Sequence, residues 1–470
     1  SYISQINESK IDKIEGLSYS LLTEFNKNGN RLGYENIYFK RRRALRDSFM
    51  KVWLYDTDRE LLADIMWSIC DEFTWVLPAH IGNDIFKNTI DLFAAETAQS
   101  LAEIISLVGD KLPAEVVKRC IGEIKNRVLI PFITCKEGYG WEKAESNWSA
   151  VCGGCIGMTA IYLIEDNEKV KEVTKRLQLA MESYTHSFSE DGACLEGLYY
   201  WNYGMMYYTA FLDLYKQRFN EDFPIYFEKV KKMADFPNRC LLGDGYTVSF
   251  SDSSERDRIY SGLSCKLSKM FNISAAGTEY RTNYNDDECG RLCKVVRDVS
   301  WSDEFKQYKT YRKNVILPIA QWAIKHNEKF SVAFKGGNNG EPHNHNDLGS
   351  IIIRKNGKII LCDVGAGEYT SDYFSNKRYE IFCNSSLGHS VPIINGQEQC
   401  TGKEYYTTDL CVNDKDIIAD ISKAYNVKVK VIRKINTDEN AVILLDEFYA
   451  EDNTEVAERF VTRHEAYIKN

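Results

Sequence analysis

The sequence lacks the segments that direct a chain into or across a membrane. No apolar run approaches the ~18 residues that a transmembrane helix needs, so we expect no membrane partner. The chain also begins at Ser1 without a positively charged, apolar leader. As it stands, this start predicts a cytoplasmic protein, or a secreted or periplasmic protein if a leader has been removed.

An excess of positive charge is also lacking. The 59 basic and 68 acidic residues give a formal net charge of −9, so the composition predicts no nucleic-acid partner. An anionic ligand stays compatible with this balance, because a local basic cleft can oppose the net sign. The one basic cluster, residues 40–43 with Arg46, is expected to be the solvated start of a helix rather than a binding patch.

The fourteen cysteines have no framework spacing. Residues 152–155 form a Cys-x-x-Cys pair, but no second such pair accompanies it and helix-like sequence follows. We therefore expect mostly free, buried thiols rather than a zinc ribbon, a thioredoxin-like motif or a disulfide scaffold.

What the sequence does contain is a long helical pattern followed by strands. From about residue 40 to 235 apolar residues recur with a period near 3.6, most clearly over residues 90–107, which indicates paired helices in a bundle, solenoid or toroid. Beyond about residue 312 strand signals dominate, and Asn356 and Gly357 predict a two-residue hairpin turn. We therefore predict a helical domain over residues 1–310 and an antiparallel β domain over residues 311–470.

Two of the seven histidines, His343 and His345, lie together in residues 341–350, EPHNHNDLGS. A Gly- and Asn-rich loop precedes them and a short apolar strand follows, and functional groups often lie at such junctions. On an extended chain both rings would face the same side. Both could then be metal ligands, or one a ligand and the other a base; two ordinary loop histidines in water are the alternative.

A second set of residues could complete a metal site. The predicted hairpin would bring Asp363, at the end of one strand, back towards His345, and His389 follows a short Ser- and Gly-containing turn. Two histidines and one carboxylate form a common Zn²⁺ ligand set. Ordinary hydrogen-bonded loop histidines are the competing interpretation, since no short metal motif joins the three.

Two polar, aromatic stretches stand out in the helical part. Asn147 and Trp148 open one helix, where Asn147 is most simply an N-cap. Residues 196–204, EGLYYWNYG, open another. Their aromatic residues are most simply core, although aromatic side chains between two glycines would also suit the wall of a sugar site.

Together these stretches resemble the heparinase II/III-like polysaccharide lyases. The resemblance spans roughly residues 60 to 400 and is most specific in residues 342–349 (PHNHNDLG) and 363–369 (DVGAGEY), with further matches at residues 377–379, 385–389, 394–397, 147–148 and 196–201. It implies an N-terminal (α/α) toroid of helical hairpins, a C-terminal antiparallel β-sandwich, and β-elimination at a uronic acid of an anionic polysaccharide or oligosaccharide. It predicts no oligomeric state.

The resemblance also implies residue roles. His343 matches the catalytic histidine, Asn147 the residue that neutralises the uronate carboxylate, and Tyr200 the catalytic tyrosine, with Tyr203 a close competitor. Trp148, Tyr203, Arg378 and Tyr379 match substrate contacts, and His345, Asp363 and His389 match the ligands of a structural zinc ion.

Two other functions stay open at the level of sequence. A glycoside hydrolase on a helical toroid needs a pair of carboxylates across the cleft, for which Glu142, Glu145 and Glu196 are available. A non-catalytic carbohydrate-binding protein would bind the polymer without turnover.

Overall fold

The computed structural model describes residues 2–467 except for residues 10, 12, 13, 277–281 and 303–311. Within these residues the N-terminal part is almost entirely helical. Its helices are α1 (Tyr2–Glu8), α2 (Tyr19–Leu22), α3 (Glu24–Asn28), α4 (Leu32–Tyr55), α5 (Arg59–Cys70), α6 (Pro78–Ile81), α7 (Leu92–Val108), α8 (Ala114–Ile124), α9 (Ile130–Thr134), α10 (Asn147–Leu163), α11 (Asn167–His186), α12 (Leu198–Phe219), α13 (Phe227–Arg239), α14 (Ser261–Phe271) and α15 (Leu292–Ser300).

The long helices form two layers. α7 packs on α10, α10 on α12, α12 on α15 and α15 back on α7, which makes an inner ring. α7, α10 and α12 bury side chains on nearly every face, whereas α8 and α11 bury one apolar stripe against them. The predicted (α/α) toroid is confirmed, and the helix predicted at residues 90–107 is α7.

The Cys-x-x-Cys stretch lies inside the inner ring. Cys152 and Cys155 are fully buried in α10, and the cysteines are free, nine of the fourteen being buried. Gly154 lies between them, where a Cβ atom would come within 2.6 Å of the Tyr207 carbonyl oxygen of α12. The stretch therefore serves close helix packing, and the prediction of mostly free, buried thiols is confirmed.

The basic cluster lies in the middle of α4, so the prediction of a solvated helix start is wrong. Arg41 and Arg42 are buried and share Glu72, with N–O distances of 2.6 and 2.7 Å. Arg46 is 1% exposed and pairs with Asp47 at 2.7 Å. Charge clusters are usually solvated, but here buried acidic partners bind the guanidinium groups within the toroid.

Strands make up most of the remaining chain. They are β1 (Leu241–Gly243), β2 (Tyr246–Thr247), β3 (Val315–Leu317), β4 (Trp322–His326), β5 (Phe330–Lys335), β6 (Asn338–Asn339), β7 (Ile351–Lys355), β8 (Lys358–Leu361), β9 (Ile393–Ile394), β10 (Gly402–Tyr406), β11 (Thr408–Val412), β12 (Asp416–Asp420), β13 (Val429–Thr437), β14 (Val442–Ala450) and β15 (Val456–Ala457).

Two antiparallel sheets form the predicted β-sandwich. One has the order β3-β4-β5-β7-β8 and the other β11-β12-β13-β14. Apolar side chains of both sheets, among them Val332, Ile351, Ile417 and Ile435, share one buried cluster. The predicted hairpin turn joins β7 and β8, with positive φ at Asn356 and Gly357. That conformation fits Asn-Gly and fixes the register that brings Asp363 back towards His345.

The predicted boundary between residues 310 and 311 lies outside the described residues and stays a prediction. The last α-helix in the described residues ends at Ser300, and the first strand of the sandwich begins at Val315. None of the helices in the described residues combines the length and apolarity that crossing a bilayer requires.

Candidate active site

The site lies where the toroid meets the sandwich. Asn147 is the first residue of α10, and Tyr200 lies in the first turn of α12. His343 comes from the loop between β6 and β7. The structure therefore brings the three predicted catalytic residues together from distant parts of the chain. Ser146, not Asn147, is the N-cap of α10, so that simpler interpretation of Asn147 is wrong.

Tyr200 and His343 are in ring contact across the domain junction. Their ring centroids are 4.2 Å apart with an interplanar angle of 33°. The Tyr200 hydroxyl lies 2.7 Å from the Tyr369 hydroxyl. Burial raises the pKa of Tyr200 well above its usual range, so its phenol keeps its proton at neutral pH. His343 has a φ of 55°, a left-handed conformation that side chains other than glycine rarely adopt and that often occurs at functional sites.

Asp252, in the loop after β2, lies at the centre of the site. Its Oδ2 is 2.6 Å from His343 Nδ1, and its Oδ1 is 3.1 Å from His345 Nε2. Burial alone would raise the pKa of Asp252, but the two histidine hydrogen bonds and the Arg378 charge hold that pKa well below its usual range. Because an ionised carboxylate only accepts, His343 donates from Nδ1, which leaves Nε2 as the ring nitrogen available to a further partner.

A buried carboxyl group lies on the other side of His343. Glu196 accepts hydrogen bonds from the Asn147 amide nitrogens, backbone N at 3.2 Å and Nδ2 at 2.5 Å, and its Oε2 is 3.9 Å from His343 Nε2. Burial raises the pKa of Glu196, although the nearby His343 opposes this. Asn147 is 3% exposed, and its Oδ1 has no hydrogen-bond partner in the described part of the chain.

The polar groups of Arg378 and Tyr379 bind the protein rather than facing open solvent. The Arg378 guanidinium contacts both Asp252 oxygens at 3.2 and 3.3 Å and donates to the Asn344 carbonyl. The Tyr379 hydroxyl donates to Asn344 Oδ1 at 2.6 Å. In this arrangement both side chains hold the loop that carries His343, which differs from the direct substrate contact expected of them.

The structure separates Tyr200 from Tyr203. Tyr203 lies one turn further along α12, is 5% exposed, donates its hydroxyl proton to Glu96, and stacks under Arg291 at 4.0 Å from guanidinium carbon to ring centroid. Tyr203 therefore belongs to the toroid interior. Of the two tyrosines, it is Tyr200 that contacts His343. Trp148 is half-buried and packs against the ring of His80, with centroids 4.9 Å apart.

A buried cluster of four side chains lies directly behind His343. His345, Asp347, Asp363 and His389 each offer one donor atom, and these atoms lie within 4.8 Å of one another. His389 Nδ1 is 3.3 Å from Asp363 Oδ2 and 3.8 Å from Asp347 Oδ2. All four side chains are buried, and each points one atom inwards that has no hydrogen-bond partner among the described residues.

The other polar atom of each cluster member is anchored outwards. These partners are Asp252 for His345, Lys335 for Asp347, the Gly365 amide for Asp363 and the Cys383 carbonyl for His389. Unsatisfied buried polar atoms are costly, and four that converge on one point need a common partner. Two imidazole nitrogens and two carboxylate oxygens could hold a metal ion, since a tetrahedral ion with bonds of about 2.0–2.1 Å separates its ligands by ~3.3 Å.

The carboxylates available to a hydrolase do not form an opposed pair. Glu142 is buried in a double hydrogen bond with Arg176, at 2.7 and 2.9 Å. Glu196 is bound to Asn147, and Glu145 is exposed. The geometry therefore gives the glycoside hydrolase interpretation no support.

Part of the chain also matches a known protein family. Residues 315–468 match the family described as Heparinase II/III-like, C-terminal. The sandwich of this chain is therefore similar to that family. Among curated proteins, no sequence matches the chain.

Solved structures extend the likeness to the toroid. A crystal structure of heparinase III is 12% identical, with a TM-score of 0.63 over 96% of this chain and 75% of that one. A mutant of the heparan sulfate lyase HepC from Pedobacter heparinus is 12% identical, with a TM-score of 0.61 over 97% and 74% of the two chains. A chondroitin AC lyase from Streptomyces coelicolor A3, in complex with chondroitin sulphate, is 11% identical, with a TM-score of 0.51 over 97% and 70%. These likenesses establish the fold.

Sequence reasoning missed two residues of the site. Asp347 was visible, because it lies two residues after His345 in the same specific stretch and its carboxylate is a suitable metal ligand. Asp252 gave no comparable signal, since it lies in a short Ser-rich loop 91 positions before His343. Only the folded chain shows that it touches both histidines.

Proposed function

We propose that this protein is a polysaccharide lyase that cleaves a uronic-acid-containing polysaccharide by β-elimination. The ring contact between Tyr200 and His343, with His343 Nδ1 bound to Asp252, is the observation that carries this proposal. The family of the sandwich supports it, as do neighbours described as heparinase III, heparan sulfate lyase and chondroitin AC lyase.

The geometry favours one division of roles between the pair. His343 donates its Nδ1 proton to Asp252, so its Nε2 lone pair is available to remove the C5 proton of the uronate. The raised pKa of Tyr200 keeps a proton on its hydroxyl, which suits it to protonate the leaving O4 oxygen. Return of the proton from His343 to Tyr200 would restore both residues.

Removing the C5 proton also requires that the substrate carboxylate be neutralised. Asn147 is the candidate, because one Nδ2 proton goes to Glu196 and the amide has a second to donate. The raised pKa of Glu196 favours its neutral form, which lessens repulsion of an anionic sugar. Trp148, half-buried on the same helix turn, offers a ring for contact with a sugar face.

We also propose that the buried cluster holds a structural zinc ion. His345, Asp347, Asp363 and His389 would bind it, and His345 would keep the loop of His343 in place through Asp252. The ion would supply positional stability behind the site. Metal analysis of purified protein is expected to find about one zinc per chain; a metal-free protein that is equally stable would contradict this proposal.

A polymer panel tests the proposed reaction. Glycosaminoglycans, alginate and related uronate polymers are incubated with the protein, and ultraviolet absorbance of the unsaturated product is followed beside an assay of reducing ends. We expect absorbance and reducing ends to rise together on at least one polymer. Reducing ends without absorbance would indicate a hydrolase, and binding without either signal would indicate a carbohydrate-binding protein.

A further inference from the structure

We propose that Asp252 is a positioning residue that orients both members of the proposed acid–base pair, His343 directly and Tyr200 through Tyr369. The proposal rests on the lyase function for its catalytic meaning. Its geometry is independent of that function, because one buried carboxylate of the helical domain, 3% exposed, binds five side chains of the β domain. We call Asp252 a positioning residue because it acts on the reacting groups through other side chains.

The first branch fixes His343. The 2.6 Å contact between Asp252 Oδ2 and His343 Nδ1 selects the tautomer that carries its proton on Nδ1. The left-handed backbone of His343 is unfavourable, so an outside contact is needed to keep the ring in one orientation. The Asp252 hydrogen bond supplies one such contact and leaves Nε2 without the tautomeric proton.

The second branch fixes Tyr200. Tyr369 donates its single hydroxyl proton to Asp252 Oδ2 at 3.0 Å. Its oxygen can therefore only accept at the 2.7 Å contact with Tyr200. The Tyr200 proton is thus directed along a defined line, Tyr200 to Tyr369 to Asp252, until a substrate oxygen replaces Tyr369 as its acceptor.

The loop of Asp252 is itself tied to the helix that carries Tyr200. Gly197 precedes α12 with a φ of 98°, and a Cβ atom there would come within 2.9 Å of the Phe250 carbonyl oxygen. Ser251 Oγ donates to the Leu195 carbonyl at 2.9 Å. This close approach holds Asp252 at a fixed distance from the first turn of α12, as a shared positioning residue requires.

The chain offers a matched control for the Tyr369 branch. Tyr373 also donates its hydroxyl to the same carboxylate, but to Oδ1. Neither Tyr200 nor His343 is among its hydrogen-bond partners in the described chain. Tyr369→Phe and Tyr373→Phe therefore each remove one hydroxyl from Asp252, and only the first interrupts the line to Tyr200.

Steady-state kinetics on the cleaved polymer separate the two variants. We expect Tyr369→Phe to lower kcat by ~10²-fold with little change in KM, because the proton donor is misoriented. Tyr373→Phe should stay within a few-fold of wild type. The double variant Tyr200→Phe, Tyr369→Phe should have the same kcat as Tyr200→Phe alone, since Tyr369 acts through Tyr200. Equal losses from the two single variants would overturn the Tyr200 branch.

Nitrogen NMR of protein with ¹⁵N-labelled histidine tests the His343 branch without any activity. The His343 signals are those missing from His343→Ala, and they should show the Nδ1–H tautomer in wild type and in Tyr373→Phe. Asp252→Asn should lose that preference. A wild-type His343 protonated on Nε2 would overturn the branch, and this wild-type spectrum decides it even if Asp252→Asn does not fold. Failure of every polymer would count against the lyase function while these spectra still decide the positioning role.

Discussion

Two histidines separated by one residue occupy opposite kinds of environment. His345 is fully buried, and its Nδ1 lies near three other donor atoms that, like it, have no hydrogen-bond partner among the residues the structure describes. His343 is 21% exposed, lies against the Tyr200 ring, and has its Nδ1 bonded while its Nε2 lies 3.9 Å from Glu196 Oε2. Both rings contact the same carboxylate, Asp252.

These two environments suit different roles, the first in stability and the second in proton transfer. Unpartnered donor atoms that converge in a closed space favour a bound cation, which the fold then needs for its stability. A half-open imidazole with one fixed nitrogen can exchange a proton with a substrate. In the proposed function the same short loop would supply both roles, and the orientation of each ring would decide which one it serves.

The largest expected effect is the loss of activity when either member of the proposed acid–base pair is replaced. His343→Ala and Tyr200→Phe should each lower kcat/KM by about 10²–10⁴-fold, because each removes a proton-transfer group. Metal content and the midpoint of thermal unfolding should stay near wild type, since neither residue belongs to the buried cluster. Kinetics, metal analysis and calorimetry on the same preparations check this, and full activity of His343→Ala would disprove the proposed mechanism.

The next effect concerns stability. His389→Ala should release the metal and lower the free energy of unfolding by ~3–5 kcal/mol, because Asp347 and Asp363 would then lie buried without their partner. His464→Ala is the matched control: its imidazole is exposed and bonds only the Ile359 carbonyl among the described groups, so we expect a change within ~0.5 kcal/mol. Denaturant unfolding measures both; equal stability of the two variants would remove the structural role of the metal.

The smallest effect tests a buried carboxyl group outside the cluster. Glu341 begins the same loop, and its Oε2 also lacks a hydrogen-bond partner in the described chain. Burial raises the pKa of Glu341 to about 7, against the nearby charge of Lys335. Its neutral form is therefore favoured in the folded state, and the stability that it contributes at acidic pH is lost as pH rises through about 7.

In wild type the free energy of unfolding should therefore fall between the ordinary pKa of a glutamate and pH about 7. Glu341→Gln should make this fall smaller, by at most about 3 kcal/mol. Exposed Glu404 provides the control, and Glu404→Gln should leave the slope unchanged. Unfolding measured from acidic to neutral pH decides the matter. An unaltered slope in Glu341→Gln would mean that Glu341 is ionised throughout, as the cluster carboxylates are expected to be with a metal bound.

Local patterns predicted the parts of the fold that depend on neighbours in the chain. Period-3.6 repeats located α7, and the Asn356–Gly357 turn placed Asp363 beside His345 through a two-strand register. The resemblance to a family supplied the toroid and the sandwich. His345, Asp363 and His389 do lie together, and the hairpin explains why the first two could be paired from sequence.

Properties that depend on distant partners could not be predicted in this way. The buried arginines of α4 pair with carboxylates that no spacing rule connects to them, so their charge alone indicated a solvated surface. Tyr200 and Tyr203 lie three residues apart with similar neighbours, and only the packing of α12 shows which one faces His343. Asp252 likewise acquires its importance from residues 91 to 126 positions later.

That separation has a consequence for how the protein is made. Synthesis begins at the N-terminus, so the helical domain emerges while the side chains that surround Asp252 have yet to be translated. Until then its carboxylate faces water or stays protonated, and the end of the toroid near α12 cannot close over an unpaired charge. Arrival of residues 343–378 supplies the hydrogen bonds. Assembly of the proposed acid–base pair therefore requires residues of both domains.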